Sequence, residues 1–477
     1  MSAPQPQKTQ RSLPPKGHAA EELLELMAGY KKQDEARWKG GQLSGAVYHG
    51  EDDHLDLLNA AAGMFSVSNP LHSSTWPSVN KFEAEIIAMT ASLLNGGDEG
   101  VCGCMTSGGT ESILMAAKTH RQWAEREKGI TAPEVICAGS AHAAIYKAAD
   151  ILRLKIVEVP IGELTCEMDV AATRAAITPN TILIYSSAPN YPQGIIDPIS
   201  ELSEIALEHN VGLHVDCCLG GFVLPFARKL RNNIPDFDFT LPGVTSMSAD
   251  THKYGYATKG TSVVLYRSKE LRKHQFFTFP KWQGGNYGTP STAGSRPGTL
   301  SAAAWASMMR LGEEGYLEAT ERLLSTTEKL TAAFHRIDGI HAMGSPKAMV
   351  TAFGADEGAS FNVYQVAGAL NKRGYHFASC QFPPCVHLAV TLRHADVIDE
   401  IITALEEAVA EAKATPEPEG MKSGVAIYGE ADVRQAEQSA ESLLKWMANT
   451  LDLPPEGFYE KQAARAAAKA AAEVVTA

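Results

Sequence analysis

The middle of the chain alternates short apolar runs with stretches of helical periodicity. From residue 133 onward the apolar runs are rich in β-branched residues, and they read EVICAG, KIVEVP, TILIYSSA, GLHVDCC, TSMSAD and TSVVLYR. Short continuous apolar runs are typical of strands that are buried on both faces. Since helical segments separate them, the pattern predicts an α/β fold built on a mostly parallel, helix-covered sheet.

The ends of the chain show different patterns. The first residues are polar and contain prolines, a helical pattern covers residues 19–40, and a glycine turn at Gly45 leads to Tyr48. After the turn-rich stretch 284–298, a long helical region is followed by a second α/β pattern. A chain of 477 residues is too long for one simple core. We expect an N-terminal arm at 1–60, a large domain at 61–310, and a small C-terminal domain with a helical tail at 311–477.

Composition and charge narrow the classes of function. With 44% hydrophobic and 20% charged residues, the chain has the composition of a soluble globular protein. Its net charge of −13 and the lack of dense Lys/Arg runs argue against a nucleic-acid partner and against an electrostatically held membrane patch. The N-terminus shows neither a signal-peptide core nor an apolar run that could span a bilayer, so we expect a cytoplasmic protein.

The eight cysteines show no paired Cys-x-x-Cys spacing. This pattern supports neither a zinc site nor a disulfide framework, and we expect no metal. We interpret most of the cysteines as buried, reduced thiols that pack as small hydrophobic residues.

A glycine-rich turn, Gly108-Gly109-Thr110-Glu111, precedes a long helical pattern. The free N–H groups at such a helix start form a cradle for an anion. A glycine turn with Thr110 as N-cap explains the same residues without a ligand. The missing Gly-Lys-Ser/Thr ending argues against a nucleotide-binding P-loop.

An aspartate and a lysine each follow a predicted strand. Asp216 ends the run GLHVD, and Lys253 lies just beyond TSMSAD, so both face the carboxyl edge of the sheet where such folds bind ligands. Asp216 can pair with a pyridinium nitrogen or cap the next turn. Lys253 can form an imine, with partial desolvation lowering its pKa, or it can be an exposed loop lysine. Together with the glycine turn, the two residues indicate a pyridoxal phosphate (PLP) enzyme whose Schiff-base lysine is Lys253.

A histidine lies beside the same predicted edge. His142 starts a helical pattern after the strand EVICAG. An imidazole at this position can stack on a cofactor ring, or it can be a polar residue at a helix start.

The motifs resemble those of the sphingosine-1-phosphate lyase family, within the group II PLP-dependent decarboxylase superfamily of fold type I. The resemblance spans roughly residues 45 to 430. It is carried by SGAVY, NPLH, TSGGTESI, SAPNYPQGIIDPI, HVDCCLGGF, SADTHKYGYATKG and GGNYGTPSTAGSRPG. It implies a large domain with a mostly parallel seven-stranded sheet, a smaller C-terminal α/β domain, and a homodimer with its active site at the interface.

The resemblance also implies a role for each site residue. Lys253 bonds to PLP, Asp216 holds the pyridine nitrogen and His142 stacks on the ring. Gly109, Thr110 and His252 hold the cofactor phosphate. Four further residues bind the substrate phosphate or assist proton transfer, partly across the dimer interface: Tyr48, Asn69, His72 and Lys259. Simpler explanations are that Asn69 and His72 flank a proline turn, that Tyr48 packs, and that Lys259 is a loop charge.

The implied reaction is a retro-aldol cleavage of a phosphorylated long-chain base to a long-chain aldehyde and phosphoethanolamine. Lys253, Lys259, Tyr48 and His72 are the expected catalytic residues. The alternative is an amino-acid decarboxylase of the same superfamily, which would share Lys253, Asp216 and His142. A catalytically silent scaffold of the same fold is a third possibility, but the presence of both Lys253 and Asp216 argues against it.

Overall fold

A computed structural model of the protein describes residues 12–97 and 100–415, together with positions 441, 444 and 447. Helix α1 (Ala20–Glu35) belongs to one compact unit, and residues 38–415 belong to another. None of the residues of α1 is buried. The polar start of the arm and the alanine-rich C-terminal tail lie outside the described residues. Among the described residues, no helix is both long and apolar enough to cross a membrane.

A seven-stranded sheet forms the centre of the larger unit, in the order β1-β7-β6-β5-β4-β2-β3. Its strands are β1 (Cys102–Thr106), β2 (Glu134–Ala138), β3 (Lys155–Val159), β4 (Thr181–Ser187), β5 (Gly212–Asp216), β6 (Ser246–Ala249) and β7 (Ser262–Tyr266). Strand β7 runs antiparallel to both of its neighbours, while β2 to β6 pair in parallel. The mostly parallel seven-stranded sheet is therefore confirmed, and all six apolar runs selected from the sequence are strands in it.

Helices cover this sheet and connect its strands. They are α2 (Asp52–Met64), α3 (Pro77–Leu93), α4 (Gly109–Lys128), α5 (Ala144–Leu152), α6 (Val170–Ala176), α7 (Ile199–His209), α8 (Leu224–Leu230) and α9 (Lys269–Arg272), with short 3-10 turns at Gly220–Phe222 and Lys273–Gln275. Because β2, β4 and β5 are buried along their whole length, apolar side chains are favourable on both of their faces. Helix α4 is capped by Gly129, whose φ of +69° is the left-handed conformation that glycine adopts without strain.

A hairpin that the sequence analysis did not predict follows β7. Strand β8 (Phe277–Phe279) pairs antiparallel with β9 (Tyr287–Thr289), and β9 lies inside the stretch 284–298 that was described as turn-rich. The hairpin exposes the side chains of Phe277, Phe279 and Trp282.

The C-terminal α/β pattern is also confirmed. A long helix, α10 (Gly298–Arg336), is broken at Gly312, where φ is +58°. It leads to a four-stranded antiparallel sheet in the order β10-β11-β13-β12. The remaining elements are β10 (Ile340–Ala342), β11 (Val350–Ala355), α11 (Val363–Lys372), β12 (Ala378–Gln381), β13 (Pro384–Ala389), α12 (Leu392–Ala395) and α13 (Ile398–Ala414).

The eight cysteines are all buried and none is in a disulfide. Burial raises the pKa of Cys104 and Cys137 to about 12, so these thiols stay protonated. Interpreting most cysteines as buried, reduced thiols is therefore correct.

Candidate active site

A cavity of about 260 Å³ lies at the carboxyl edge of the central sheet. The segments that follow β1, β2, β4, β5 and β6 all reach it, because the carboxyl ends of parallel strands meet at one edge. All of the predicted cofactor residues line it: Gly109, Thr110, His142, Asp216, His252 and Lys253. The structure thus brings together all six residues that the sequence analysis assigned to the cofactor.

A second groove of about 250 Å³ lies between the end of α10 and α13. Its charged side chains pair with one another, Arg336 with Glu406 and Lys413 with Asp338. It offers no set of groups comparable to that of the cavity at the sheet edge.

The start of α4 forms one end of the cavity. The helix begins at Gly109, with Gly108 as N-cap and no side chain capping it. Thr110 therefore lies inside the first turn, so the alternative interpretation as an N-cap is wrong. Glu111 accepts a hydrogen bond from the Ser107 N–H at 2.6 Å. The free N–H groups of this first turn can donate hydrogen bonds to an anion in the cavity.

His252 reaches the same end of the cavity. A Cβ atom at Gly108 would lie 3.7 Å from its Cε1 atom. Its Nδ1 donates to the Thr261 carbonyl at 2.5 Å, which leaves Nε2 for a ligand. Burial lowers the pKa of His252 despite the nearby Asp250 carboxylate. A phosphate close to Nε2 would oppose this shift, since the protonated ring could donate to it.

Asp216 forms a second anchor at the end of β5. It is 7% exposed, and its Oδ1 accepts hydrogen bonds from the Cys218 N–H at 2.9 Å and from the Ser248 hydroxyl at 3.1 Å. The Tyr185 hydroxyl donates to Oδ2 at 2.5 Å. Burial alone would raise the pKa of Asp216, but the neighbouring His142 and these hydrogen bonds hold it below its usual value. The carboxylate is therefore ionised and can hold a proton on a cationic ring.

Lys253 follows β6 and forms an ion pair inside the cavity. Its Nζ lies 2.9 Å from Oδ2 of Asp250. Burial would lower the pKa of Lys253, but the Asp250 carboxylate, with smaller contributions from Cys218 and Tyr48, raises it well above its usual value. Burial thus acts in the expected direction, but the combined effect of the carboxylate and the other groups exceeds it, so the net shift of the pKa is opposite to the expected one.

His142 lies in the turn between β2 and α5, two residues before the helix and not at its first residue as expected. Its Nδ1 accepts a hydrogen bond from the Ala144 N–H at 3.1 Å, which satisfies one free donor at the helix start. Burial lowers the pKa of His142, although Asp216 acts in the opposite direction. Its ring meets that of Tyr191 edge-on at 6.4 Å. A neutral imidazole facing the cavity is suited to stack on a planar ring.

These groups fit PLP. The cofactor has a phosphate for a helix N-terminus, a ring nitrogen for a buried carboxylate, and an aldehyde for an amine. The cavity offers all three, at Gly109, Asp216 and Lys253. In addition, Oδ1 of Asp250 is buried and has no hydrogen-bond partner among the described residues, which makes it available to a polar ligand.

Two of the predicted substrate residues, Tyr48 and Lys259, lie near Lys253, although neither is among the residues that line the cavity. The segment before α2 is tied to the small sheet, since the Gly45 N–H donates to the Ala389 carbonyl at 2.9 Å. This places the Tyr48 ring edge-on against Tyr254 at 4.7 Å, with the Lys259 amine 4.4 Å from the Tyr48 ring centre. Desolvation and the nearby Lys253 lower the pKa of Lys259 to about 8, although its side chain is exposed.

The other two predicted substrate residues, Asn69 and His72, lie elsewhere in the fold. Asn69 and His72 occupy the turn between α2 and α3, and neither lines the cavity. The Asn69 side-chain oxygen accepts from the backbone N–H groups of Leu71 at 3.1 Å and Arg296 at 3.2 Å. His72 is exposed, with its ring 6.0 Å from that of Trp76. Within one chain, the structure does not bring these two residues to Lys253.

Sequence reasoning missed several residues around the cavity. Asp250 pairs with Lys253, while Tyr185 and Ser248 hold Asp216. Asp250 stands three positions before Lys253, a spacing that was visible in the sequence. Tyr185 and Ser248 could be found only by knowing that β4 and β6 flank β5.

Comparison with known proteins gives one consistent family. The pyridoxal-dependent decarboxylase conserved domain matches residues 56–349. A sphingosine-1-phosphate lyase of Arabidopsis thaliana is 46% identical over 429 residues, which cover 88% of this chain and 77% of the relative. One of Dictyostelium discoideum is 44% identical over 423 residues, covering 88% and 78%. A solved sphingosine-1-phosphate lyase of Burkholderia pseudomallei superposes with a TM-score of 0.86 at 37% identity, covering 94% of this chain and 98% of that structure.

Proposed function

The chain belongs to the sphingosine-1-phosphate lyase family of pyridoxal-dependent enzymes, and from this membership we propose that it cleaves phosphorylated long-chain bases such as sphingosine 1-phosphate. The products are a long-chain aldehyde and phosphoethanolamine. The observation that carries the proposal is one cavity that holds Lys253, Asp216 and the start of α4, in a chain that matches these lyases over most of its length.

Different residues of the cavity would bind different parts of PLP. Gly109, Thr110 and His252 would hold its phosphate, His142 would stack on the ring, and Lys253 would bond to its aldehyde carbon. When bound, PLP supplies an electron sink for the electron pair released as a bond to the amino-bearing carbon breaks. The ionised Asp216 supports this chemistry because a buried carboxylate keeps the ring nitrogen protonated.

Cleavage requires two proton transfers on the substrate. A base removes the proton of the hydroxyl next to the amino-bearing carbon, the carbon–carbon bond breaks in the retro-aldol sense, and an acid then protonates the amino-bearing carbon. Lys259 is suited to such work because its pKa of about 8 leaves both protonation states populated near neutral pH. Tyr48, beside it, is a second candidate.

The substrate phosphate needs cations, since the protein as a whole carries a net charge of −13. Lys259 supplies one, and His72 and Asn69 would supply further contacts. Unlike Tyr48 and Lys259, Asn69 and His72 do not lie near Lys253 of their own chain, so our proposal includes that they act in the active site of a partner subunit. The exposed aromatic residues of the β8–β9 hairpin, Phe277, Phe279 and Trp282, support an association of this kind. The assembly proposed is a homodimer.

The domain boundaries remain predictions from the sequence, namely an arm at 1–60, a large domain at 61–310 and a small domain at 311–477. The cytoplasmic location is also a prediction from the sequence. The break of α10 at Gly312 supports a boundary close to 310.

The test of the proposed function is a substrate comparison. PLP-loaded protein is incubated with sphingosine 1-phosphate, and the aldehyde and phosphoethanolamine are quantified by mass spectrometry. We expect both products in equal amounts. A parallel panel of amino acids is assayed for carbon dioxide release, and release from any of them without aldehyde formation from the lipid would favour the decarboxylase alternative.

A further inference from the structure

The Asp216 carboxylate accepts hydrogen bonds from three residues, and two of them, Tyr185 and Ser248, do not line the cavity. Its Oδ1 already accepts two hydrogen bonds, from the Cys218 N–H and the Ser248 hydroxyl. A carboxylate oxygen has about two acceptor positions, so Oδ1 is saturated. Oδ2 accepts the Tyr185 hydroxyl and keeps a position for one more donor. The ring nitrogen of a bound cofactor and Tyr185 would therefore share Oδ2.

Tyr185 is fixed in this position by the sheet. It lies on β4, opposite His214 of β5 in the strand register, and it is 1% exposed. Its ring stacks on that of His214 at 5.6 Å with an angle of 25° between the planes. Burial and the neighbouring Asp216 charge raise the pKa of Tyr185 well above its usual value. The hydroxyl therefore stays protonated and donates a hydrogen bond to Asp216. Tyr185 can thus act on a ligand only through Asp216.

The other carboxylate oxygen is supported by a second buried chain of hydrogen bonds. Ser248 donates to Oδ1 of Asp216, and its hydroxyl lies 3.3 Å from Nε2 of His214. The Nδ1 of His214 contacts the Ser246 hydroxyl at 2.8 Å. Burial lowers the pKa of His214 to about 3, so this ring stays neutral and the arrangement keeps the same charge across the working pH range.

We propose that Tyr185 is a positioning residue that holds Oδ2 of Asp216, keeps the buried carboxylate ionised and thereby keeps the proton on the ring nitrogen of PLP. The inference rests on the proposed function for the presence of PLP. A carboxylate and a ring nitrogen in contact share one proton, and each donor to the carboxylate lowers its basicity. Removing the Tyr185 hydroxyl therefore moves the proton toward Asp216 and weakens the electron sink.

The test measures the protonation state of the ring nitrogen directly. Holoenzyme is prepared with PLP labelled with nitrogen-15 in the ring, and its NMR signal is recorded for the wild type and for Tyr185→Phe. The control is Tyr266→Phe, which removes another buried hydroxyl, bonded to Thr119 at 3.0 Å and away from the cavity. We expect a protonated signal in the wild type and the control, and a shift toward the unprotonated position in Tyr185→Phe. We also expect kcat to fall about ten-fold with KM unchanged, the size of one lost hydrogen bond to a charged group.

A second variant distinguishes the loss of the hydrogen-bond donor from misfolding of Tyr185→Phe. Replacing Tyr185 by 4-aminophenylalanine preserves the volume and offers a weaker donor, so a smaller shift in the same direction is expected. A nitrogen signal that stays at the wild-type position in both Tyr185 variants overturns the proposal, whatever the substrate is. The measurement needs no substrate, so a wild type that binds PLP but leaves sphingosine 1-phosphate intact contradicts the proposed function alone. A wild type that binds no PLP contradicts both.

Discussion

The Lys253 ammonium and the Asp250 carboxylate lie 2.9 Å apart inside the cavity, three positions apart on the chain. This pairing holds the lysine in its charged form, which is not nucleophilic. Asp250 therefore controls how readily Lys253 reacts with an aldehyde before any substrate arrives.

Substituting Asp250→Asn should accelerate the capture of PLP by cofactor-free protein. Without the carboxylate, burial dominates and the pKa of Lys253 falls, and each unit of decrease gives about ten times more neutral amine at a given pH below the pKa. The rate of growth of the visible absorption band after mixing with PLP, measured at pH 7.5, should rise at least several-fold. Asp338→Asn, which removes an exposed carboxylate paired with Lys413, serves as the control. Capture that is equally slow or slower in Asp250→Asn would contradict the role assigned to the pair.

Substituting Gly109→Ala should weaken the binding of PLP. A Cβ atom there would lie 2.7 Å from the Cys218 sulfur and 2.8 Å from an Asp250 oxygen, so one wall of the cavity would have to shift. We expect the Kd for PLP, measured by fluorescence titration, to increase at least ten-fold. The matched control is Gly368→Ala in α11, where a Cβ meets nothing within 4 Å. That control should raise the free energy of unfolding by about 0.4–1 kcal/mol and leave the Kd unchanged. Equal Kd values in both variants would argue against Gly109 as a wall of the cofactor site.

The charge on Lys259 should give substrate binding a pH dependence. With a pKa of about 8, the amine loses its proton as the pH rises through 8, while the substrate phosphate is already fully ionised above pH 7. The KM of the wild type should therefore increase between pH 7 and pH 9. Lys259→Arg keeps its charge throughout this range and should show a flat KM. Lys147→Arg, at an exposed position on α5, should follow the wild type. Parallel KM profiles for the wild type and Lys259→Arg would remove Lys259 from the phosphate site.

Mixed dimers test whether His72 acts across a subunit interface. Neither Lys253→Ala nor His72→Ala homodimers should be fully active. If the site of one subunit uses His72 of the other, a dimer with one chain of each variant contains one intact site. Co-expression of the two differently tagged chains, followed by purification of the mixed species, should restore up to about half of the wild-type activity per dimer. No restoration would mean that His72 serves its own chain or no site at all.

Much of the fold was predictable because its strands are short, apolar and buried. Runs such as TILIYSSA and GLHVDCC are short and mostly apolar, and this identifies them as inner strands of a parallel sheet. The β8–β9 hairpin was not predicted because Phe-Thr-Phe in β8 is too short and too exposed to show the pattern of a buried strand, and because β9 lies in a stretch rich in glycine and polar residues. Short exposed strands depend on pairing with each other, which local sequence does not show.

The site was predictable in its positions and less so in its electrostatics. Asp216 ends one strand and Lys253 follows another, and the topology of a parallel sheet then puts both at one edge. The pKa of Lys253 depends on where Asp250 points, and the state of Asp216 depends on Tyr185 from a neighbouring strand. Both depend on contacts in three dimensions, and the linear sequence does not give the direction in which such contacts shift a pKa. The positions of Asn69 and His72 outside the cavity of their own chain are likewise a property of the fold.

The central claim is that Lys253 makes this protein a lyase for phosphorylated long-chain bases. The most direct measurement follows phosphoethanolamine and long-chain aldehyde over time from sphingosine 1-phosphate, with PLP-loaded wild type, Lys253→Ala and the surface variant Lys147→Ala side by side. We predict equimolar products from the wild type and from Lys147→Ala, and at least a 1000-fold lower rate, about 4 kcal/mol in the barrier, from Lys253→Ala. Products formed at a similar rate by Lys253→Ala, or no cleavage by a wild type that carries PLP, would contradict the claim.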